Sequence, residues 1–198
     1  MSNKAKKARN LAALSGGALV AAAPFASAGT AQADAAIFHV TNTNDSGDGS
    51  LRKAIEDANA TTDTDTIVFD AGATGSIVLT SGQLAITESV SIEGPGASVL
   101  TVDGDDSSQV FYVYNSSTLI SVSLSGLTIT GGDSSYAGGI ISWGETLDLE
   151  SLVITGNVGD NAGGVQFYGA YKEPAQATLT IRNSTISGNE GKIGRAHV

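Results

Sequence analysis

The chain has 198 residues, no cysteine, 25 glycines, and 20 Asp and Glu against 10 Lys and Arg. The missing cysteines exclude disulfide staples and thiolate metal sites. The acidic balance makes nucleic acid and anionic membrane surfaces poor partners, and a hydrophobic share of 41% lets one domain-sized unit bury a continuous core.

Residues 1–33 read as a secretory signal peptide. Lys4, Lys6, Lys7 and Arg9 form a basic start, 11–28 is a small-residue apolar stretch, and Ala31-Gln32-Ala33 supplies the small residues that a signal peptidase accepts. Gly16, Gly17 and Pro24 interrupt the apolar run, which argues against a permanent membrane span, and no later segment is apolar enough to cross a bilayer. Cleavage would leave six Lys and Arg against the twenty Asp and Glu, a net charge of 14 negative. The expected product is an extracellular or cell-surface monomer.

After the leader, 34–65 is expected to hold a first strand, with His39 at its edge, and then a capping helix. Asn42, Asn44, Asp45 and Asp48 resemble a calcium loop only superficially, lacking the D-x-D-x-D-G spacing and the distal glutamate. In GSLRKAIEDAN (49–59) the apolar residues Leu51, Ala54, Ile55 and Ala58 fall at helical spacing, and Ser50 stands where an N-cap is needed. This predicts an amphipathic helix of about nine residues, placed as a lid because the open end of a stacked β structure must be covered.

Apolar runs at 66–69, 77–79, 84–86, 90–92, 99–102 and 110–114 read as strands of irregular coils. Asp103, Asp105 and Asp106 in VDGDDSS are the candidate calcium ligands, although aspartate beside glycine is ordinary turn chemistry. No other cofactor is expected.

The coils then become regular. SVSLSGLTITGG (121–132) recurs as TLDLESLVITGN (146–157), 25 residues on, and TLTIRNSTISGN (178–189) follows 32 residues later. A fixed period of this size marks one supersecondary unit stacked on itself. Within each copy the apolar residues take offsets 0, 2, 5 and 7, as in Val122, Leu124, Leu127 and Ile129. Period two marks a half-buried strand, and the added residue marks a corner, at Gly126, Ser151 and Asn183, where a left-handed turn is cheapest for glycine and asparagine. Third strands are expected at 138–143 and 163–168, each opening on Ala-Gly-Gly. The fold class is therefore all-β: a right-handed parallel β-helix, single-stranded, with three strands per coil and about five coils over 66–190, capped by one short helix. Stacking predicts Leu124 on Leu149 on Ile181 inside, and Ser125, Glu150 and Arg182 in line outside, with Glu150 and Arg182 as a surface ion pair.

The run VTNTNDSGDGSLRKAIEDAN followed by TDTIVFD resembles the opening of bacterial surface and secreted parallel β-helix proteins of pectin-lyase-like fold, those carrying the segment named for its C-S-L-R-E-A motif. The strings GLTITGG, AGGI and STISGN are similar to the coils that follow it. Gly49 stands where that motif has cysteine, and Lys53 where it has glutamate. The resemblance implies an exported, anchored or adhesive protein. Because related folds include polysaccharide lyases and glycosidases, it also raises catalysis.

A glycosidase needs two carboxylates about 5–10 Å apart around one bond. The resemblance places the usual groove on the Ala-Gly-Gly strands, whose outward residues by alternation are Ile141, Trp143, Gln166 and Tyr168, none of them an acid or a base. Asp148 and Glu150 share an outward face but read as solvated. His39 and His197 have no evident nucleophile to serve.

Trp143 and Tyr168 lie one period apart and should form a vertical aromatic pair. With Gln166, and with Tyr171 in the insertion that also brings Lys172 and Glu173, they form the candidate ligand site, because aromatic surfaces with polar edges suit sugar rings. A second ladder, Thr128, Thr130, Val153, Thr155, Thr185 and Ser187, has the spacing of an ice-ordering array, though threonine is simply a good strand residue. The repeat fails after Asn189, and 191–198 is expected to be a truncated or non-native tail. The expectation is a secreted or cell-surface scaffold, adhesive or glycan-binding, with no catalytic residue in this segment. The rival is a polysaccharide lyase or glycoside hydrolase whose catalytic coils lie beyond it.

Overall fold

The structure, a computed structural model, describes residues 35–169 and 177–192. Residues 1–33, expected to be a signal peptide, lie outside the described residues, as do Tyr171, His197 and the rest of the tail from 193 onward. Strand β1 (Ile37–Val40) and helix α1 (Leu51–Ala58) precede about five turns of an all-parallel solenoid. The first turn comprises β2 (Asp65–Phe69), β3 (Gly75–Val78) and β4 (Leu84–Ile86); the second β5 (Val90–Glu93), β6 (Leu100–Asp103) and β7 (Phe111–Val113). The third comprises β8 (Ser121–Ser125), β9 (Thr128–Thr130), β10 (Asp133–Ser134) and β11 (Ile140–Trp143). The fourth comprises β12 (Thr146–Glu150), β13 (Val153–Thr155), β14 (Val158–Gly159) and β15 (Val165–Tyr168), and the last described turn β16 (Leu179–Arg182), β17 (Thr185–Ser187) and β18 (Glu190–Gly191).

Equivalent strands pair in parallel into ladders, in the orders β1-β2-β5-β8-β12-β16, β3-β6-β9-β13-β17, β4-β7-β11-β15 and β10-β14-β18. The last of these is a narrow fourth wall that the repeat alone did not separate from a turn. Leu124 pairs with Leu149 and Leu149 with Ile181, while Ser125, Glu150 and Arg182 align outside as the 25- and 32-residue spacings require. The corners at Gly126, Ser151 and Asn183 are left-handed, with φ of 62, 54 and 51°. The interior is a single apolar column in which Ile67, Ile92, Leu124 and Leu149 are fully buried in successive turns.

Polar groups inside this column are paired. Asn157 is fully buried; its Oδ1 accepts from Gly132 N–H at 3.0 Å, and its Nδ2 donates to the Ile129 carbonyl at 3.0 Å and to Asn189 Oδ1 at 2.9 Å. This amide ladder backs the fourth wall and makes Asn157 more than a turn residue. Asp65, also fully buried, accepts from Ala36 N–H at 2.7 Å and from the Thr61 hydroxyl, fixing β1 to the first turn.

Helix α1 has eight residues. Its apolar face is buried against β1, β2 and β4, and Ser50 Oγ accepts from Lys53 N–H at 3.2 Å as the N-cap. On the polar side Lys53 pairs with Asp57, one helical turn on. Arg52 reaches from the helix to the Gln83 carbonyl at 2.8 Å, the Gly82 carbonyl at 2.7 Å and Asp45 at 2.6 Å. Gly49 sits at φ +74°, and a Cβ there would lie 2.1 Å from Thr41 Oγ1, so this backbone has no room for the cysteine of the motif it resembles. Among the described residues no helix is long and apolar enough to cross a membrane.

Candidate functional site

The outer side of β4, β7, β11 and β15 gathers the aromatic residues. Register places Ala85, Tyr112, Ile141 and Gln166 in one outward column. Two residues further along their strands, Trp143 and Tyr168 pair in the next column. Their rings stack with centroids 4.2 Å apart and planes 8° from parallel. Tyr136, from the loop before β11, meets Trp143 edge-on at 5.4 Å and 78°. That loop is held to the following turn, since the Tyr136 carbonyl accepts from Asn161 and Ala162 N–H, both at 3.0 Å. Tyr112 and Tyr114 form a further T-shaped pair at 6.2 Å.

One expectation about this face needs correction. Ile141 does alternate outward, but none of its surface is exposed. Its ladder neighbours, one rung away on either side, are Tyr112 and Gln166, so the sheet carries a second, outer apolar layer instead of a bare face. The Trp143–Tyr168 stack also turns one face of each ring onto the other, leaving edges and outer faces for a ligand. Tyr136, which the repeat pattern did not bring forward because it lies in a loop, is the more open ring, at 44% exposure.

Beside this cluster is a groove of about 540 Å³. Tyr112, Tyr136 and Trp143 form its apolar wall, and Gln83, Ser108, Gln109, Asp133, Ser134 and Ser135 its polar one. Among the described residues the Ser108 hydroxyl has no hydrogen-bond partner, and neither has Gln166 Oε1, whose own Nε2 donates to the Tyr168 hydroxyl at 2.6 Å. Burial, with Tyr114 and Tyr136 nearby, raises the Tyr112 phenol above its ordinary range, so it is a neutral donor at physiological pH. Asp133 Oδ1 lies 3.4 Å from Lys192 Nζ. This arrangement can hold a molecule with apolar C–H faces and many hydroxyls.

The other candidates are accounted for locally. Asp103 Oδ1 accepts from Asp105 N–H at 3.0 Å, and Asp105 and Asp106 are left-handed, at φ 54 and 51°, so these three residues shape a turn. Among the described residues no three His, Cys, Asp or Glu side chains are placed to hold a metal ion. In the loop before α1, Asn42 Oδ1 accepts from Asn44 N–H and Asp45 takes Arg52. His39 Nδ1 lies 2.8 Å from Asp70 at the exposed edge. Asp148 and Glu150 are joined by Arg182, and the shorter contact, 2.7 Å, goes to Asp148; the Glu150 contact expected from the register is 3.5 Å, because the guanidinium reaches diagonally across the rung.

A larger groove of about 770 Å³ runs beside 115–120 and is lined by Thr87, Glu88, Ser89 and Tyr114 among others. Its polar groups bind one another: Asn115 Nδ2 donates to the Thr87 carbonyl and to Glu88. The loop is anchored from behind by Glu145, fully buried, whose carboxylate accepts from Asn115 N–H at 2.8 Å and Ile120 N–H at 2.9 Å. No pattern in the sequence points to Glu145, because these partners are backbone groups. The threonine ladder extends beyond the regular repeats, as Ser76-Thr101-Thr128-Val153-Thr185 beside Val78-Asp103-Thr130-Thr155-Ser187, with Val153 breaking the first file and Val78 and Asp103 the second.

Comparison with known proteins found no matching family model, no matching curated protein and no matching solved structure. What stands without them is a parallel β-solenoid of about five turns.

Proposed function

We propose that this chain is a secreted or cell-surface β-solenoid scaffold that binds glycans along the groove walled by Tyr112, Tyr136 and Trp143. The observation that carries the reading is the convergence of three aromatic rings with amide, hydroxyl and carboxylate groups around one concavity, on a rigid sheet. Sugar rings present apolar C–H faces and a rim of hydroxyls, and aromatic groups with polar edges complement both. The basic and apolar character of 1–33 supports export. The helix cap and coil strings support kinship with the surface proteins named above, and that kinship belongs to this proposal.

Binding is favoured over hydrolysis because the groove's described lining offers one carboxylate, Asp133, where glycosidic cleavage needs two. Trp143 is the protein's one tryptophan, so its emission reports on this groove alone. Titrating the mature chain with a panel of soluble oligosaccharides should shift that emission. Tyr136→Ala, at an exposed ring, should weaken the response about tenfold without unfolding the chain. Emission unchanged across the panel would overturn the reading.

A further inference from the structure

The charges around the groove narrow its ligand. Four Lys and Arg occur among the described residues, against eighteen Asp and Glu, and each of the four is held by a carboxylate. Arg52 lies on Asp45, Lys53 on Asp57, Arg182 on Asp148 and Lys192 on Asp133. Among the described residues Lys192 is the cation beside the groove, and its partner is the groove's own acid, so that pair brings no net positive charge to a ligand. The rest of the lining is neutral: aromatic rings, Ser108 and Gln109 among them.

A polymer of uronic acids carries one carboxylate per sugar and needs cations or fixed donors to receive each. Here it would meet Asp133 within the groove and an acidic scaffold beyond it. We infer that the groove selects neutral sugar polymers and rejects uronate polymers, an inference that rests on the glycan reading above. Asp133 has two roles in it. Its carboxylate accepts hydrogen bonds from neighbouring hydroxyls of a neutral sugar, and its hold on Lys192 keeps that cation from pairing with a ligand carboxylate. The aromatic wall receives the C–H face in either case, so it fixes that a sugar binds, and Asp133 fixes which kind.

The test is a Trp143 fluorescence titration with matched neutral and uronate oligosaccharides of equal length, on the mature chain and on Asp133→Asn. The neutral series should bind at least about tenfold more tightly than the uronates at low salt, and added salt should narrow the gap by screening the repulsion. Asp133→Asn frees Lys192, so the uronates should gain affinity while the neutral sugars lose some. Calorimetry of the same pairs gives the ratios independently of emission. Uronates binding as tightly as neutral sugars to the unmodified chain would overturn the selectivity and leave the glycan reading intact. An Asp133→Asn protein with an unchanged ratio would also overturn it. Silence toward both series would instead remove the glycan reading, and the inference with it.

Discussion

At the amino end of the solenoid, α1 lays Leu51, Ala54, Ile55 and Ala58 across the first turn, and all four are buried. At the last described turn, Ile181 and Ile186 stand in the same inward register as Leu149 and Ile154, yet keep 43% and 42% of their surface exposed. The difference shows that in a parallel coil an inward position is not yet a core position. Each interior side chain is covered by the rungs on both sides of it, and where one side is uncovered the same residue types stay half in water. A helix with an apolar face replaces the missing rung, and it also removes the unpaired strand edge that a second chain could join.

Truncation on each side measures this difference most directly. Leu51→Ala should cost about 2–5 kcal/mol, because it empties a fully enclosed site that the surrounding turn can collapse into only partly. Ile186→Ala should cost less than about 1 kcal/mol, since much of that side chain is already exposed. Urea unfolding followed by far-UV circular dichroism gives both values. Equal losses at the two positions would show that the helix is not the cap the packing indicates.

The clamp at Arg52 provides the second test. Its guanidinium ties α1 to the carbonyls of Gly82 and Gln83 and to Asp45, with 15% and 9% of the two side chains exposed. Burial pushes the Asp45 carboxyl up, but hydrogen bonds from Ser81, Arg52 and Thr80 together with the Arg52 charge outweigh it and hold the group below its ordinary value. A depressed carboxyl contributes stability that is present above its unfolded value, about 3.9, and lost as the pH falls through the folded one. Asp45→Asn should therefore cost about 1–3 kcal/mol at neutral pH, leaving Arg52 with carbonyls alone. It should also flatten the decline of the urea midpoint below about pH 4. A variant whose midpoint falls with pH as steeply as the unmodified chain would place that acid sensitivity elsewhere.

These contrasts follow what the sequence could and could not announce. Strand positions, corners and the buried face of α1 were legible because each rests on local spacing: period two for Leu147 and Leu149, a left-handed corner at Ser151, and apolar residues three and four apart in the helix. The Arg52 clamp was not, since two of its partners are backbone carbonyls some thirty residues away. Asp65 and Glu145 were hidden for a similar reason: an acid satisfied largely by N–H groups leaves no basic residue at a telling distance. At the candidate site the Trp143–Tyr168 register came from the repeat, whereas Tyr136 and Asp133 entered through a loop and a two-residue strand that no periodicity marks.

The smallest effect is expected at the last described turn. Arg182 sits on the outside of β16, half exposed, 2.7 Å from Asp148 and 3.5 Å from Glu150. Both acids raise its already high pKa, the hydrogen bond it donates to Asp148 most of all, so its charge does not change in any usable pH range. The pair is solvated, lies on a turn whose interior is itself partly wet, and holds no buried backbone group in place, so water replaces it readily. Arg182→Ala should leave the urea midpoint within measurement error at physiological salt, even though it breaks two ion pairs and Asp45→Asn breaks one. A clear loss of stability would mean that the last described turn is held by its surface charges and not by its ladder, and the contrast between the two ends would then be one of chemistry as well as of cover.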